Sequence, residues 1–311
     1  MGVRAVRLTS TSFEGRRRRT GLGLVAPALL VLLGVLAYPI AASLLLGFQD
    51  ATIAGGGVTS EWIGLANYER MLSDPTFGTA LRNSLYFTFV EVLAVIAISL
   101  AVALLLNHPS GRGGFFVVVL LVPWALAPVA NAVLWKWIYN ANYGILNAIL
   151  LQLGLIDQKV IWLGDPFLAL NMMLIADAWK AIPFIALLLL AGLQNVPSYL
   201  YRAARVDGAG SWARFRHVTL PGLRIPILVA LVLQSIWALK VFDLVFVLTK
   251  GGPMDGTVVL NFLAWRVTFA FLDLGYGAAI ANVLFVIMFV LALIYVRALD
   301  PERRRRRAGN A

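Results

Sequence analysis

Six long apolar stretches separated by polar segments run along this chain, at residues 22–48, 85–106, 115–139, 167–193, 225–248 and 277–296. A membrane-crossing helix needs roughly 20 predominantly apolar residues, so each stretch predicts one span. Pro27, Pro39, Pro123, Pro128 and Pro183 fall inside these spans. Neighbouring helices in a membrane re-satisfy the carbonyls that proline frees, so kinks rather than breaks are expected there. A further apolar segment, 258–272, is short and contains Asn261 and Arg266. It predicts an external interfacial or re-entrant helix, not a seventh span. The expected architecture is an all-α integral membrane protein, a kinked bundle of six transmembrane helices.

One polar segment stands apart. From Tyr199 through Arg202-Ala203-Ala204, Asp207-Gly208-Ala209, Trp212 and Phe215 to Thr219-Leu220-Pro221, it has the pattern of a short helix, a glycine-containing turn and a second short helix. Asp207 is suited to cap the start of the second helix, where a carboxylate meets unpaired N–H groups. Gly208 permits an unusual backbone angle. Trp212 and Phe215 are apolar knobs of the kind that seat in a partner's groove.

Composition supports the membrane reading: 60% of the 311 residues are hydrophobic and 13% are charged. The net charge of +11 is concentrated at the flanks of the apolar runs. Arg4, Arg7 and Arg16 to Arg19 precede the first run, Arg303 to Arg307 follow the last, and Arg202, Arg205, Arg214, Arg216 and Arg224 sit in or beside the polar segment. The positive-inside rule makes these flanks cytoplasmic, and six spans put both termini on that side. The organisation expected is a basic cytoplasmic tail at 1–20, a transmembrane domain at 21–300 with an external loop at 49–83 and the polar cytoplasmic loop at 197–222, and a second basic tail at 301–311. Charge so distributed reads as topology and contact with anionic lipid, not as a nucleic-acid surface. The absence of cysteine excludes thiolate chemistry and Cys-based metal sites. No Gly-x-x-x-x-Gly-Lys-[Ser/Thr] loop is present to hold nucleotide phosphates, so the chain is not expected to be an enzyme or to hydrolyse ATP itself.

The polar segment resembles the EAA loop of binding-protein-dependent ABC importer permeases, with Arg202 in place of the family's glutamate. Trp62-Ile63-Gly64-Leu65, Leu121-Val122-Pro123-Trp124, Trp179-Lys180, Pro183-Phe184, Phe242-Asp243, Thr249-Lys250-Gly251-Gly252-Pro253 and Gly275-Tyr276-Gly277 follow in the order of the carbohydrate-uptake, maltose-type branch. The resemblance implies a permease subunit of a sugar importer in a prokaryotic cytoplasmic (inner) membrane. It implies four kinds of partner: a second related permease, two ATP-binding cassette subunits, an external solute-binding protein and the sugar. This chain would carry no cofactor, MgATP being bound by the cassette subunits. Coupling to the ATPase would fall to Arg202, Ala203, Ala204, Asp207, Gly208, Ala209, Trp212 and Phe215.

Polar groups inside spans are costly and mark candidate pathways. Those on the third, fourth and fifth spans, with their aromatic neighbours, are the candidates for the solute: Asn131, Asp177, Trp179, Lys180, Phe184, Gln234, Trp237 and Lys240. Asp177 and Lys180 share a helix face, and Lys240 and Asp243 repeat that spacing. Glu91 and Asn282 are further intramembrane polar groups, Glu91 reading as a buried structural one. A neutral hydroxyl-rich solute fits this set. The alternatives are glycerol phosphate or another small polar solute, and a transporter acting without an ATPase.

Overall fold

The structure is a computed structural model that describes residues 23–54, 57–107 and 113–299. The arginine-rich tails and the linker bearing His108 and Arg112 lie outside the described residues. Helix α1 spans Gly23–Leu46. It contains a π-helical turn at Leu33–Ala37, directly before Pro39, whose ring cannot sit under a regular i−4 carbonyl. A short antiparallel hairpin follows, β1 (Gln49–Ala54) with β2 (Gly57–Trp62), which the all-α expectation did not contain. Helices α2 (Ala66–Ser73) and α3 (Pro75–Leu106) meet at Asp74, whose carboxylate accepts from Thr76 N–H at 2.8 Å and caps α3. This cap starts the second span well before residue 85, inside the segment expected as external loop.

Beyond the linker come α4 (Gly113–Ala125), α5 (Pro128–Ile138) and α6 (Ile145–Gln152). Asp165 and Pro166 start α7 (Pro166–Gln194), Asp165 accepting from Leu168 N–H at 2.8 Å. Then follow α8 (Ser198–Val206), α9 (Ser211–Gly222), α10 (Arg224–Leu239), α11 (Leu260–Trp265) and α12 (Leu274–Leu299). Four helices among the described residues are long and apolar enough to cross a membrane alone. Two bent pairs bring the number to six. The third expected span is one of them, with its halves at 94° across residues 126–127. Ala127 is extended there because the following Pro128 disfavours helical geometry. The second pair, α9 with α10, bends by 67° at Leu223. The fifth span ends at Leu239, short of the expected 248, and is continued by an irregular stretch and a π-turn at Val245–Thr249.

Helix α3 lies along α7 at the centre, with α4 against α7 and α10 against both α3 and α12. Phe87, Met173, Leu239, Leu260, Leu263 and Ile280 fill one core, and Val95, Ile185, Leu189, Leu193 and Leu223 fill a second. The outer faces carry exposed Leu, Val and Phe, as a lipid-facing surface does. Side chains from crossing helices donate to backbone carbonyls of α7: Tyr139 to Met172, Asn131 to Ala176 and Ser99 to Ile182. Pro183 leaves α7 unbroken.

The 258–272 segment is packed into the bundle. Leu260, Phe262, Leu263 and Val267 are buried, and Ser84 Oγ accepts from Leu260 N–H at 2.8 Å. It is a core element packed on α3 and α12. Its Asn261 donates to Lys240 O at 2.8 Å, which explains a polar residue within an apolar segment. Asn282 also proves structural: it donates to Leu44 O at 3.1 Å and to Tyr68 Oη at 3.0 Å, and so holds the end of α1.

Candidate functional site

A cavity of about 370 Å³ opens where α5, α7 and α10 converge. Each wall comes from a local irregularity or a helical spacing. The bend between α4 and α5 brings Trp124 and Pro128 to the rim and places Asn131 one turn further in. Asp177, Lys180 and Ala181 lie on one face of α7 at i, i+3 and i+4. Gln234 and Trp237 lie one turn apart on α10. Because α10 stops at Leu239, the residues from Lys240 to Leu244 turn across its end and close the cavity.

Six of the eight residues expected to face a solute line this space: Asn131, Asp177, Lys180, Gln234, Trp237 and Lys240. Trp179 and Phe184 do not. Trp179 packs edge-on against Trp135 at 5.7 Å, away from the cavity. Phe184 forms a second layer, stacked on Trp124 at 5.3 Å and edge-on to Trp237 at 5.4 Å. It sets the orientation of the two indoles that do line the space. Trp124 and Phe242 were not among the candidates. Their membership depends on the α4–α5 bend and on the early end of α10, neither of which has a periodic signature.

The charged groups are held apart. The two ion pairs found among the described residues, Arg70–Asp273 and Arg266–Asp255, involve none of Asp177, Lys180, Lys240 and Asp243. Both amides are fixed by their NH2 ends. Gln234, fully buried, donates Nε2 to Glu91 Oε1 at 2.8 Å. Asn131 donates Nδ2 to Ala176 O at 3.3 Å. The carbonyl ends, Gln234 Oε1 and Asn131 Oδ1, have no donor. Around the cavity stand two buried carbonyl oxygens without donors, two carboxylates, two ammonium groups and indole faces, a set matched to hydroxyl groups.

The polar segment folds as two short helices. Asp207 ends α8 instead of starting α9; the residue before α9 is Gly210, with no side-chain cap. The turn is closed from the other side: Ala209 N–H bonds to Ala204 O at 2.8 Å and Gly208 N–H to Arg205 O at 3.1 Å. This paired closure requires a left-handed residue just past the helix, and Gly208 supplies it with φ of +77°. A π-turn at Phe215–Thr219 precedes Pro221, and Tyr201 Oη meets Thr219 Oγ1 at 3.1 Å to join the two helices. Trp212 is 71% exposed and stacks on Phe215 at 5.4 Å. Arg202 is exposed and donates to Ser198 Oγ, one turn back on its own helix. Leu200, Ala203, Ala204, Asp207 and His217 border a second cavity beneath the segment.

The segment is inserted between two of the helices that line the first cavity. α7 ends at Gln194 and leads through 195–197 into α8, and α9 leads through Leu223 into α10.

A family model described as "Binding-protein-dependent transport system inner membrane component" matches residues 113–305. The chain is 37% identical over 289 residues to a trehalose/maltose transport system permease protein of Thermococcus litoralis, covering 93% of this chain and 96% of that one. It is 36% identical over 279 residues to a sulfoquinovosyl glycerol transport system permease protein of Agrobacterium fabrum, covering 90% of each. The fold matches a chain in the crystal structure of a bacterial ABC transporter involved in import of the acidic polysaccharide alginate, with a TM-score of 0.77 and 21% identity over 94% of this chain and 98% of that one.

Proposed function

The chain belongs to the binding-protein-dependent transport system inner membrane component family, and on that premise we propose that it is the permease subunit of an ATP-driven sugar importer. It is a non-catalytic, multi-pass membrane subunit. In this reading the cavity at Asn131, Asp177, Lys180, Gln234, Trp237 and Lys240 holds a hydroxyl-rich solute during transit. A second permease supplies the other half of the pathway, two ATP-binding cassette subunits bind MgATP, and an external solute-binding protein delivers the sugar. The basic flanks put both termini and the 197–222 segment in the cytoplasm of a prokaryotic cell.

The observation that carries the mechanism is chain continuity. The polar segment is tied by covalent backbone to α7 at one end and α10 at the other, and both helices line the cavity. A partner that grips Trp212 and Phe215 and moves them would displace both walls together. The acceptors and indoles would then separate on one side of the membrane and close on the other. Binding of a solute shifts such an equilibrium only through different contacts in the two states. The position of Gln234 and Trp237 on the moving helix provides that difference.

Two experiments test this reading. Gentle purification from the native membrane should recover an ATPase, a second permease and a solute-binding protein with this chain; recovery of the chain alone, without ATPase activity, would overturn it. Uptake by that assembly in proteoliposomes is then compared for trehalose, maltose, sulfoquinovosyl glycerol and glycerol 3-phosphate. Transport of a neutral sugar is expected. Transport of glycerol 3-phosphate alone would replace the sugar with an anionic metabolite, and uptake without ATP would replace the importer with a transporter acting alone.

A further inference from the structure

Glu91 lies on α3, outside the cavity, and is fully buried. Its Oε1 accepts Gln234 Nε2 at 2.8 Å, a contact between residues 143 apart. Its Oε2 has no hydrogen-bond partner. A buried acid on a central helix needs a reason, since its burial is costly. Packing alone does not supply one, because an apolar residue would fill the same place.

Gln234 has two chemically different ends on one planar group. Whichever end Glu91 holds, the other is left buried beside the cavity that Gln234 lines. A carboxylate is an acceptor at both oxygens, so it holds the NH2 end. The amide of Gln234 therefore has one orientation, with Oε1 as its free end, and Oε1 is unpartnered. Asn131 repeats the arrangement with a backbone carbonyl as the holder.

We propose that Glu91 is a positioning residue for solute selection: it holds the NH2 end of Gln234 so that the amide oxygen faces the cavity and accepts a hydroxyl of the solute. The inference rests on the cavity being a solute site. It predicts a hydroxyl donor at this point and disfavours a solute that presents only acceptors there, such as a phosphate dianion.

The test uses the purified assembly and whichever solute of the uptake panel the wild type transports best. Equilibrium binding is read from the fluorescence of the cavity indoles, Trp124 and Trp237. Glu91→Leu should weaken the Kd about tenfold, the size of one misplaced hydrogen bond. Glu91→Gln should weaken it only about twofold, because an amide at 91 either accepts from or donates to Gln234 and leaves roughly half the molecules correctly turned. In a Gln234→Ala background, both substitutions should lose their effect on Kd, since Glu91 acts through that amide. An unchanged Kd in Glu91→Leu, or an equal loss with and without Gln234, would overturn the proposal and leave Glu91 a structural group. If Glu91→Leu fails to assemble, Glu91→Gln and its combination with Gln234→Ala give the same decision. If the wild type transports no member of the panel, the sugar reading itself fails, and that failure is distinct because it precedes any substitution.

Discussion

Tyr276 donates its hydroxyl to Asp74 Oδ2 at 2.7 Å, across 202 residues of sequence. Asp74 meanwhile caps α3 with its other oxygen, and the Arg70 guanidinium lies 4.1 Å from the centre of the Tyr276 ring while pairing with Asp273 at 2.8 Å. One carboxylate thus joins the start of the second span to the start of the last. Tyr276→Phe should lower the stability of the purified protein by about 2 kcal/mol, the contribution of a hydrogen bond to a charged group. Asp74→Ala removes the cap as well and should cost about 1 kcal/mol more. Thermal unfolding in detergent measures both, and equal losses would mean that the cap contributes nothing.

Gly208 tests whether the cytoplasmic turn acts through its backbone. A Cβ there would meet nothing within 4 Å, so only the φ of +77° opposes a side chain. Gly208→Val should abolish uptake while membrane insertion stays normal, because a β-branched residue in this region costs upward of about 1–2 kcal/mol. Gly208→Asn should retain much of the activity, since Asn enters that region more readily. Equal loss in the two variants would assign the position to direct partner contact instead.

Gly275 and Gly277 differ in what stands opposite them. A Cβ on Gly275 would fall on the backbone carbonyl of Gln49, and one on Gly277 would fall on the Thr268 side chain. Gly277→Ala should therefore be partly rescued by Thr268→Ala, and Gly275→Ala by no side-chain change. Expression level and unfolding midpoint of the single and double variants decide this. A failure of Thr268→Ala to help would place the obstacle in the backbone of that turn.

Trp237 and Phe184 separate solute contact from support. Trp237 lines the cavity and is 39% exposed, whereas Phe184 is packed between two indoles. Trp237→Ala should weaken solute binding about tenfold or more with little change in unfolding midpoint. Phe184→Ala should lower both, because it removes the ring that holds Trp124 and Trp237. Binding titration and thermal unfolding on the same preparations give the comparison. Parallel loss of both quantities in Trp237→Ala would make it a packing residue.

Much of this architecture is legible in the order of residues. Apolar length is a local property, and hydrocarbon thickness converts it directly into spans, so the six expected crossings fall within the four to six candidate spans of the structure. The polar segment is legible for the same reason: its helices, its turn and the glycine at that turn are set by neighbours in sequence. What was misread there, Asp207 as the start of α9, turned on one backbone closure, since a carboxylate at a helix boundary serves either end. The hairpin at Gln49–Trp62 and the burial of Leu260–Trp265 had no comparable signal. A short apolar helix looks the same in sequence whether it meets lipid or protein.

The sequence by itself determined the membrane class, the number of apolar crossings and the residue types available to a solute, because each follows from composition over a short window. Only the tertiary structure decided which of those residues share one cavity, that Trp179 turns to Trp135 while Trp124 turns inward, and that Glu91 reaches Gln234. Those outcomes depend on a 94° bend, an early helix end and a contact between residues 143 apart. Each is set by how helices cross, and helix crossing is fixed by packing among distant segments rather than by the periodicity of any one of them.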